Sequence, residues 1–351
     1  MKNIIFDLSK VQTEIPKNLK KFDPSYVTRY AITAELIRAH TKTTNKIRVL
    51  DVGGYNGALR DFLPEHDITI LDMVEDKKLK NYVQASGADI PFEDDSFDVV
   101  VTCDTLEHVP APERDKFMLE LIRVSKGTVL LCAPFGTPLV EKAELEADSF
   151  YQSMAGESYI WLKEHKEFVL PKKEWLRKLL TSQNVNFDEF VHSSIDLWAL
   201  LLSGSFFLAG NIEPVNKKLS VRLRKTSEKY LQEVTFRDFP NGEGYRTFYV
   251  ISKNDKPEVK LPSYSRPFID EYFNEVIISI GSVIRDLNAS YGAALYKNIS
   301  MQEQNENLNE QLQISNGELL SLKKRYDTLL NSKSYKFASG ISKAKRRIRR
   351  V

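Results

Sequence analysis

Cysteine is scarce: the 351 residues hold two, Cys103 and Cys132, both inside apolar runs that read as strands. Two such thiols make no disulfide framework and no paired-cysteine metal motif, and they suit a reducing cytosol. A long apolar run is missing as well. The longest uncharged stretch, Leu197–Ile212, has 16 residues with Gly204 and Gly210 inside it, short of the about 20 that a membrane-spanning helix needs. The opening MKNIIFDLSK breaks its apolar run at Asp7 and does not read as a secretory signal. Net charge is almost absent, with 50 Lys+Arg against 48 Asp+Glu. That balance is uneven along the chain. Residues 333–351 hold eight basic and no acidic residues, which leaves 42 against 48, or −6, for the rest. A mildly acidic body excludes a polyanion-binding surface spread over the whole molecule. With 42% hydrophobic and 28% charged residues, the chain is globular rather than disordered or fibrous.

What is present is an alternation of helix and strand signals over the first ~255 residues. Asp23-Pro24 opens a helix running to about His40, by a capping acid followed by a proline whose missing N–H costs nothing. Apolar strands are expected at Ile47–Leu50, Ile68–Leu71, Tyr82–Ala85, Phe97–Thr102 and Thr128–Ala133. A helix is expected at 112–124, then a charged, aromatic-rich segment at 134–170, a helix at 172–183, a strand at 186–191, inserted helices over 197–235 and a last strand at 245–252. Apolar strands alternating with helices predict an α/β fold with a parallel sheet covered on both faces.

The strongest local signal is VLDVGGYNG at Val49–Gly57, a strand ending in Asp51 and a glycine turn that leads into a helix. Glycine permits the sharp turn and a close approach of ligand to backbone. Asp72 ends the next strand 21 residues on, with Met73 beside it, where a carboxylate accepts both ribose hydroxyls of an adenosine. Asp89, in GADIPF, is placed to take an adenine amino group while Ile90 packs on the ring. Other nucleotide folds are excluded: no Lys-Ser/Thr follows Gly57, and no G-x-G-x-x-G is present.

DVGGYNG, LDMVED, GADIPFEDDSFDVVV and CDTLEHVP together resemble the class I S-adenosylmethionine-dependent methyltransferases, closest to the branch that methylates small molecules and sugars. The resemblance covers residues 45–135 well and 136–255 loosely. It implies a Rossmann-like seven-stranded sheet in the order 3-2-1-4-5-7-6 and S-adenosyl-L-methionine as cofactor. Asp51, Gly53, Gly54, Gly57, Asp72, Met73, Asp89, Ile90 and Asp104 would hold that cofactor, and Tyr30 would reach its carboxylate. The middle glycine of the family's first motif is replaced by Tyr55, and Gly54 is expected to supply the flexibility instead. Asp104 heads the stretch Cys103–His108, which in the family flanks the methionyl part of the cofactor and the acceptor.

Four residues are candidates for removing an acceptor's proton: Glu107 and His108 in that stretch, and Glu164 and His165 in YIWLKEHKEFVLP. The acids lie among aromatics, a composition that suits sugar faces and hydroxyls. Asp104, Glu107 and His108 resemble a metal-binding E-x-x-E-H run of some small-molecule O-methyltransferases, but no metal is expected.

The domain boundaries read as 1–252 for the catalytic domain, 253–270 for a polar linker, 271–332 for a coiled coil and 333–351 for a basic amphipathic tail. The coiled coil follows from positions 273 to 329, where alternating steps of four and three residues pick out seventeen positions, fourteen of them apolar, the exceptions being Asn298, Asn305 and Ser315. That is a 3.5-residue period, weakened by Gly281, Gly292 and Gly317, and the alternative for its first part is packing on the catalytic domain. The tail sets Phe337, Ile341, Ala344, Ile348 and Val351 on one helical face among its bases, a pattern suited to an anionic membrane surface rather than to specific nucleic-acid binding. YIWLKEHKEFVLP and the tail segment SKSYKFASGISKAKRR also resemble segments of bacterial surface-glycan biosynthesis proteins, and that resemblance implies a cytoplasmic O-methyltransferase, working at the inner face of the cell membrane on a sugar hydroxyl of a surface polysaccharide or lipid-linked glycan. It would assemble as a homo-oligomer, a dimer rather than a trimer. The alternatives are a methyltransferase of a small diffusible metabolite and a degenerate methyltransferase domain serving as a coiled-coil scaffold.

Overall fold

Strands and helices alternate through the computed structural model, which describes residues 3–11, 14–16, 19, 24–41, 46–55, 57–74, 79–209 and 213–331. The basic tail 333–351 lies outside the described residues, as do Asp23 and Asn56. In chain order the elements are β1 (Asn3–Asp7), α1 (Pro24–Thr41), β2 (Arg48–Val52), α2 (Ala58–Phe62), β3 (Asp67–Asp72), β4 (Tyr82–Gln84), β5 (Phe97–Cys103), α3 (Arg114–Val124), β6 (Ser125–Pro134), α4 (Pro138–Ala155), α5 (Ile160–Phe168), α6 (Lys173–Ser182), β7 (Asn186–His192), α7 (Ile195–Ala209), α8 (Glu213–Arg237), β8 (Arg246–Ser252), β9 (Lys256–Lys260) and α9 (Arg266–Asn331).

The main sheet has seven strands in the order β4-β3-β2-β5-β6-β8-β7. Counted within this sheet alone, that is 3-2-1-4-5-7-6, the expected Rossmann-like methyltransferase order. β2 to β6 pair in parallel, while β8 runs antiparallel to both β6 and β7. The central strands are apolar throughout because both faces are covered. Val99 and Val101 turn toward one core with Val27, Ile32 and Leu36 of α1. Val100 between them joins the opposite core with Phe117 and Leu121 of α3 and Leu176 of α6. Helix α4 shows how local chemistry sets an element's ends. Thr137 caps it by accepting from the Val140 N–H, Pro138 occupies the first turn, and Gly156 ends it at φ 79°, where an L side chain would be strained.

Two expectations change. The stretch 253–270 is no plain linker: Lys256–Lys260 forms β9, which pairs in parallel with β1 from Asn3↔Lys256 to Asp7↔Lys260. Pro257 and the alternating charges hid this strand, since a short two-stranded ladder tolerates both. The chain also divides at 283/284 rather than near 252. In the first unit, residues 1–283, Ile269, Tyr272 and Val276 of α9 are buried in one cluster with Leu197, Tyr230 and Val234. These positions form a second apolar stripe beside the 3.5-residue seam. In the second unit, the described residues 284–331 are helical and their large apolar side chains, Leu295, Leu308, Leu312, Leu319 and Leu322 among them, are exposed. No helix among the described residues is long and apolar enough to cross a membrane.

Candidate active site

In an open α/β sheet, ligands bind beyond the carboxyl ends of the parallel strands. Asp51, the penultimate residue of β2, stands there between Ile70 of β3 and Val101 of β5. The side chain is only 1% exposed, and both carboxylate oxygens find no hydrogen-bond partner among the described residues. Burial, reinforced by the negative charge of Asp72 and only partly offset by Arg60 and Arg29, pushes its carboxyl up to about 7. A buried carboxylate without donors is costly, so this one is poised for a cationic or hydrogen-bonding ligand.

The glycine turn wraps this carboxylate. Gly53 adopts φ 82°, and a side chain there would collide with Thr105. Gly54 has a different job from the one expected. Its φ is not in the left-handed region, and a Cβ there would collide with the Asp51 carboxylate. Its role is to make room rather than to flex. Gly57, at φ 68°, starts α2. Asp72 is half-buried and accepts from the Val74 N–H at 3.0 Å. Met73 and Asp89 are exposed, and Ile90 is buried, its N–H held by Glu120 at 2.8 Å. Tyr30 is buried on α1, stacked on Phe62 and edge-on to Tyr26, and burial together with the Asp51 charge drives its hydroxyl pKa up.

Asp104 follows β5 in a left-handed conformation, φ 49°. Its carboxylate is committed to two arginines that the sequence reading missed. Arg246 of β8 donates from Nε at 2.8 Å and from Nη2 at 2.6 Å, and Arg29 of α1 approaches to 3.0 Å. Burial would raise the Asp104 carboxyl, but the two arginines outweigh it and hold it down at about 2. The signal for Arg246 was an arginine in an otherwise apolar strand, GYRTFYVIS. Arg29 stands beside Tyr30.

The four acceptor-side candidates come together from two segments. Glu107 and His108 lie in the short 3-10 turn Leu106–His108, while α5 brings Glu164 and His165. His108 Nδ1 meets Glu164 Oε2 at 2.8 Å, and His165 Nδ1 meets Glu144 Oε1 at 2.9 Å. The Tyr245 hydroxyl donates to the same Glu144 oxygen at 2.9 Å. Glu144 and Tyr245 also escaped the sequence reading, because nothing local marks two residues about a hundred positions apart as partners. The two imidazole centroids are 4.8 Å apart, and Trp161, 50% exposed, stands edge-on to His108 at 5.2 Å. Glu107 is 1% exposed, and burial followed by the Asp104 charge pushes its carboxyl well up. Burial lowers the His108 pKa, and His165 lowers it further against the pull of Glu164. The arrangement offers imidazole and carboxylate groups to one small volume beside an exposed aromatic face.

Residues 50–132 match the family model described as a methyltransferase domain. An uncharacterized methyltransferase of Mycobacterium sp. (strain JLS) is 34% identical over 107 residues, covering 27% of this chain. The chain spans 42% of the length of that relative. Among solved structures, an S-adenosylmethionine-dependent methyltransferase of Archaeoglobus fulgidus is 15% identical, covering 67% of this chain and 97% of its own, with a TM-score of 0.38. A plantazolicin methyltransferase, solved with S-adenosylhomocysteine, is 13% identical, covering 68% and 86%, with a TM-score of 0.42. Over residues 50–132, then, the chain is similar to a methyltransferase domain.

Proposed function

We propose that the chain transfers a methyl group from S-adenosylmethionine to a hydroxyl of a sugar in a surface polysaccharide or lipid-linked glycan. The residues present fit the cofactor. The orphaned, buried Asp51 carboxylate suits a ligand ammonium, and Gly53 and Gly54 leave no room for side chains of their own. Asp72 is the candidate for the ribose hydroxyls, and Asp89 and Ile90 for the adenine. When bound, the cofactor would supply a methyl group already activated by a positively charged sulfur, a leaving group able to depart with the bonding electrons.

The chain's own work is then alignment and proton removal. The observation that carries the acceptor reading is the convergence of Glu107, His108, Glu164 and His165 next to exposed Trp161. Trp161 offers a flat apolar face of the kind that stacks on a sugar ring. The carboxylate on each Nδ1 fixes the ring and leaves Nε2 of both imidazoles for the acceptor side.

The second unit supports assembly. Seam positions such as Tyr291, Met301, Leu308, Leu312, Leu319 and Leu322 are exposed in the single chain, and Asn298 and Asn305 fall at the a positions, where buried asparagine favours parallel pairing in register. We infer a parallel homodimer, with paired basic tails meeting an anionic membrane. The test of function is a labelled-methyl screen across lipid-linked glycans, free sugars and metabolite pools. Label in the glycan fraction is expected. Label confined to small diffusible metabolites would overturn the glycan assignment.

A further inference from the structure

Glu107, His108 and His165 each present one donor atom, and the three atoms lie within 4.8 Å of one another. Their surroundings are those of prepared ligands. Metal-binding histidines almost always give their second ring nitrogen to a carboxylate or carbonyl, which fixes the tautomer and aims the other nitrogen at the ion. Here Glu164 takes Nδ1 of His108 and Glu144 takes Nδ1 of His165, so Nε2 is left on each ring. Glu144 is itself fixed by the Tyr245 hydroxyl. His165 is 6% exposed and Glu107 1%. Nε2 of the one and Oε2 of the other are buried with no hydrogen-bond partner among the described residues. Leaving two such atoms unpaired in one place is costly, and a single cation satisfies both.

We propose that Glu107, His108 and His165 hold one divalent transition-metal ion, zinc or a close neighbour of it in the first row. Two imidazoles and one carboxylate suit these ions, whereas magnesium and calcium favour oxygen ligands throughout. Asp104 is outside the set, because Arg246 and Arg29 already occupy its carboxylate. Ligand distances of about 2.1 Å place tetrahedral donors roughly 3.4 Å apart, so no pair of donor atoms, all within 4.8 Å of one another, has to close by more than about 1.4 Å on binding. Three protein ligands leave a coordination position open, and that position receives an oxygen of the acceptor. This last point rests on the acceptor reading of the cluster; the ion site does not.

The test uses the untagged full-length protein, stripped of metal with a chelator and titrated with cobalt(II) alone. Visible absorption should saturate at one cobalt per chain. His165→Ala should abolish the band. Glu144→Gln, which leaves all three ligands in place, should weaken binding at least tenfold. Affinity for S-adenosylhomocysteine, measured by calorimetry on the same samples, should stay within twofold, which reports that each variant is folded. If His165→Ala fails that control, Glu144→Gln decides. Absence of a saturable band, or equal bands in the wild type and Glu144→Gln, overturns the proposal. Cobalt binding without S-adenosylhomocysteine binding supports the ion site and removes the methyl-transfer reading. S-adenosylhomocysteine binding without cobalt binding overturns the ion site and leaves methyl transfer intact.

Discussion

Arg246 grips Asp104 with two nitrogens, at 2.8 and 2.6 Å, across 142 positions of sequence. Arg29 adds a second cation at 3.0 Å. The pair ties β8 to the end of β5, beside the proposed acceptor site.

Asp104→Asn should therefore destabilise the fold by about 3–5 kcal/mol, because it strands two largely buried guanidinium groups. Urea unfolding measures this. The Asp104 carboxyl is held down at about 2 from 3.8, so its contribution is complete above the higher value and is lost as pH falls toward the lower. A loss under about 1 kcal/mol, the worth of a surface pair, would show that the cluster is solvated.

Asp51 should behave in the opposite sense. Its carboxyl rises from 3.8 to about 7 in the fold. The protonated form is the one the free protein favours, so stability is greatest at low pH and falls as pH rises from about 4 to 7. At 1.36 kcal/mol per pKa unit, the cost is about 4 kcal/mol above pH 7. Asp51→Asn should raise the melting temperature at pH 8. Ligand binding through the ionised carboxylate should make S-adenosylhomocysteine about tenfold weaker at pH 6 than at pH 8. A pH-independent affinity would remove Asp51 from the ammonium site.

Asp72→Ala should weaken cofactor binding by at least tenfold, through loss of charge-assisted contacts to the ribose hydroxyls. Calorimetry reads this directly. An unchanged affinity would end the case for an adenosine site at this strand.

His165→Ala should lower turnover at saturating cofactor by about a hundredfold or more while leaving cofactor affinity in place. Single-turnover methyl transfer to the identified acceptor separates the two quantities. Full turnover in this variant would move the acceptor site elsewhere.

Truncation after Val283 should give a monomer that still binds the cofactor. A cut after Pro267 would instead remove Ile269, Tyr272 and Val276 from their buried cluster and confuse assembly with stability. Sedimentation of full-length and truncated chains checks this. An oligomeric truncated chain, or a monomeric full-length one at micromolar concentration, would refute the coiled coil.

The strand-turn-helix part of the fold was legible because its signals are local. Asp51, Gly53 and Gly57 sit within one strand-turn-helix segment, and Asp72 ends the next apolar run, so pattern and spacing suffice. The acceptor cluster was half legible: Glu107–His108 and Glu164–His165 stand out as polar pairs, but Glu144 and Tyr245, which position His165, carry no mark of their pairing. Arg29 and Arg246 were missed for the same reason, since a buried ion pair between remote segments leaves no periodicity. Packing of the start of α9 on the first unit was one of two open readings, and the residues that do it, Ile269, Tyr272 and Val276, were not singled out because their stripe runs alongside the seam.

The parallel ladder between β1 and β9 bears on how the protein is made. Asn3 pairs with Lys256, 253 positions later. At about 5–20 residues per second, the ribosome takes roughly 10–50 s to deliver the partner strand. All the strands of the seven-stranded sheet emerge before β9 does. During that interval Phe6, fully buried in the finished fold, has no ladder to hold it. β1 is thus made before the seven-stranded sheet and locked by its ladder only after that sheet's strands have emerged.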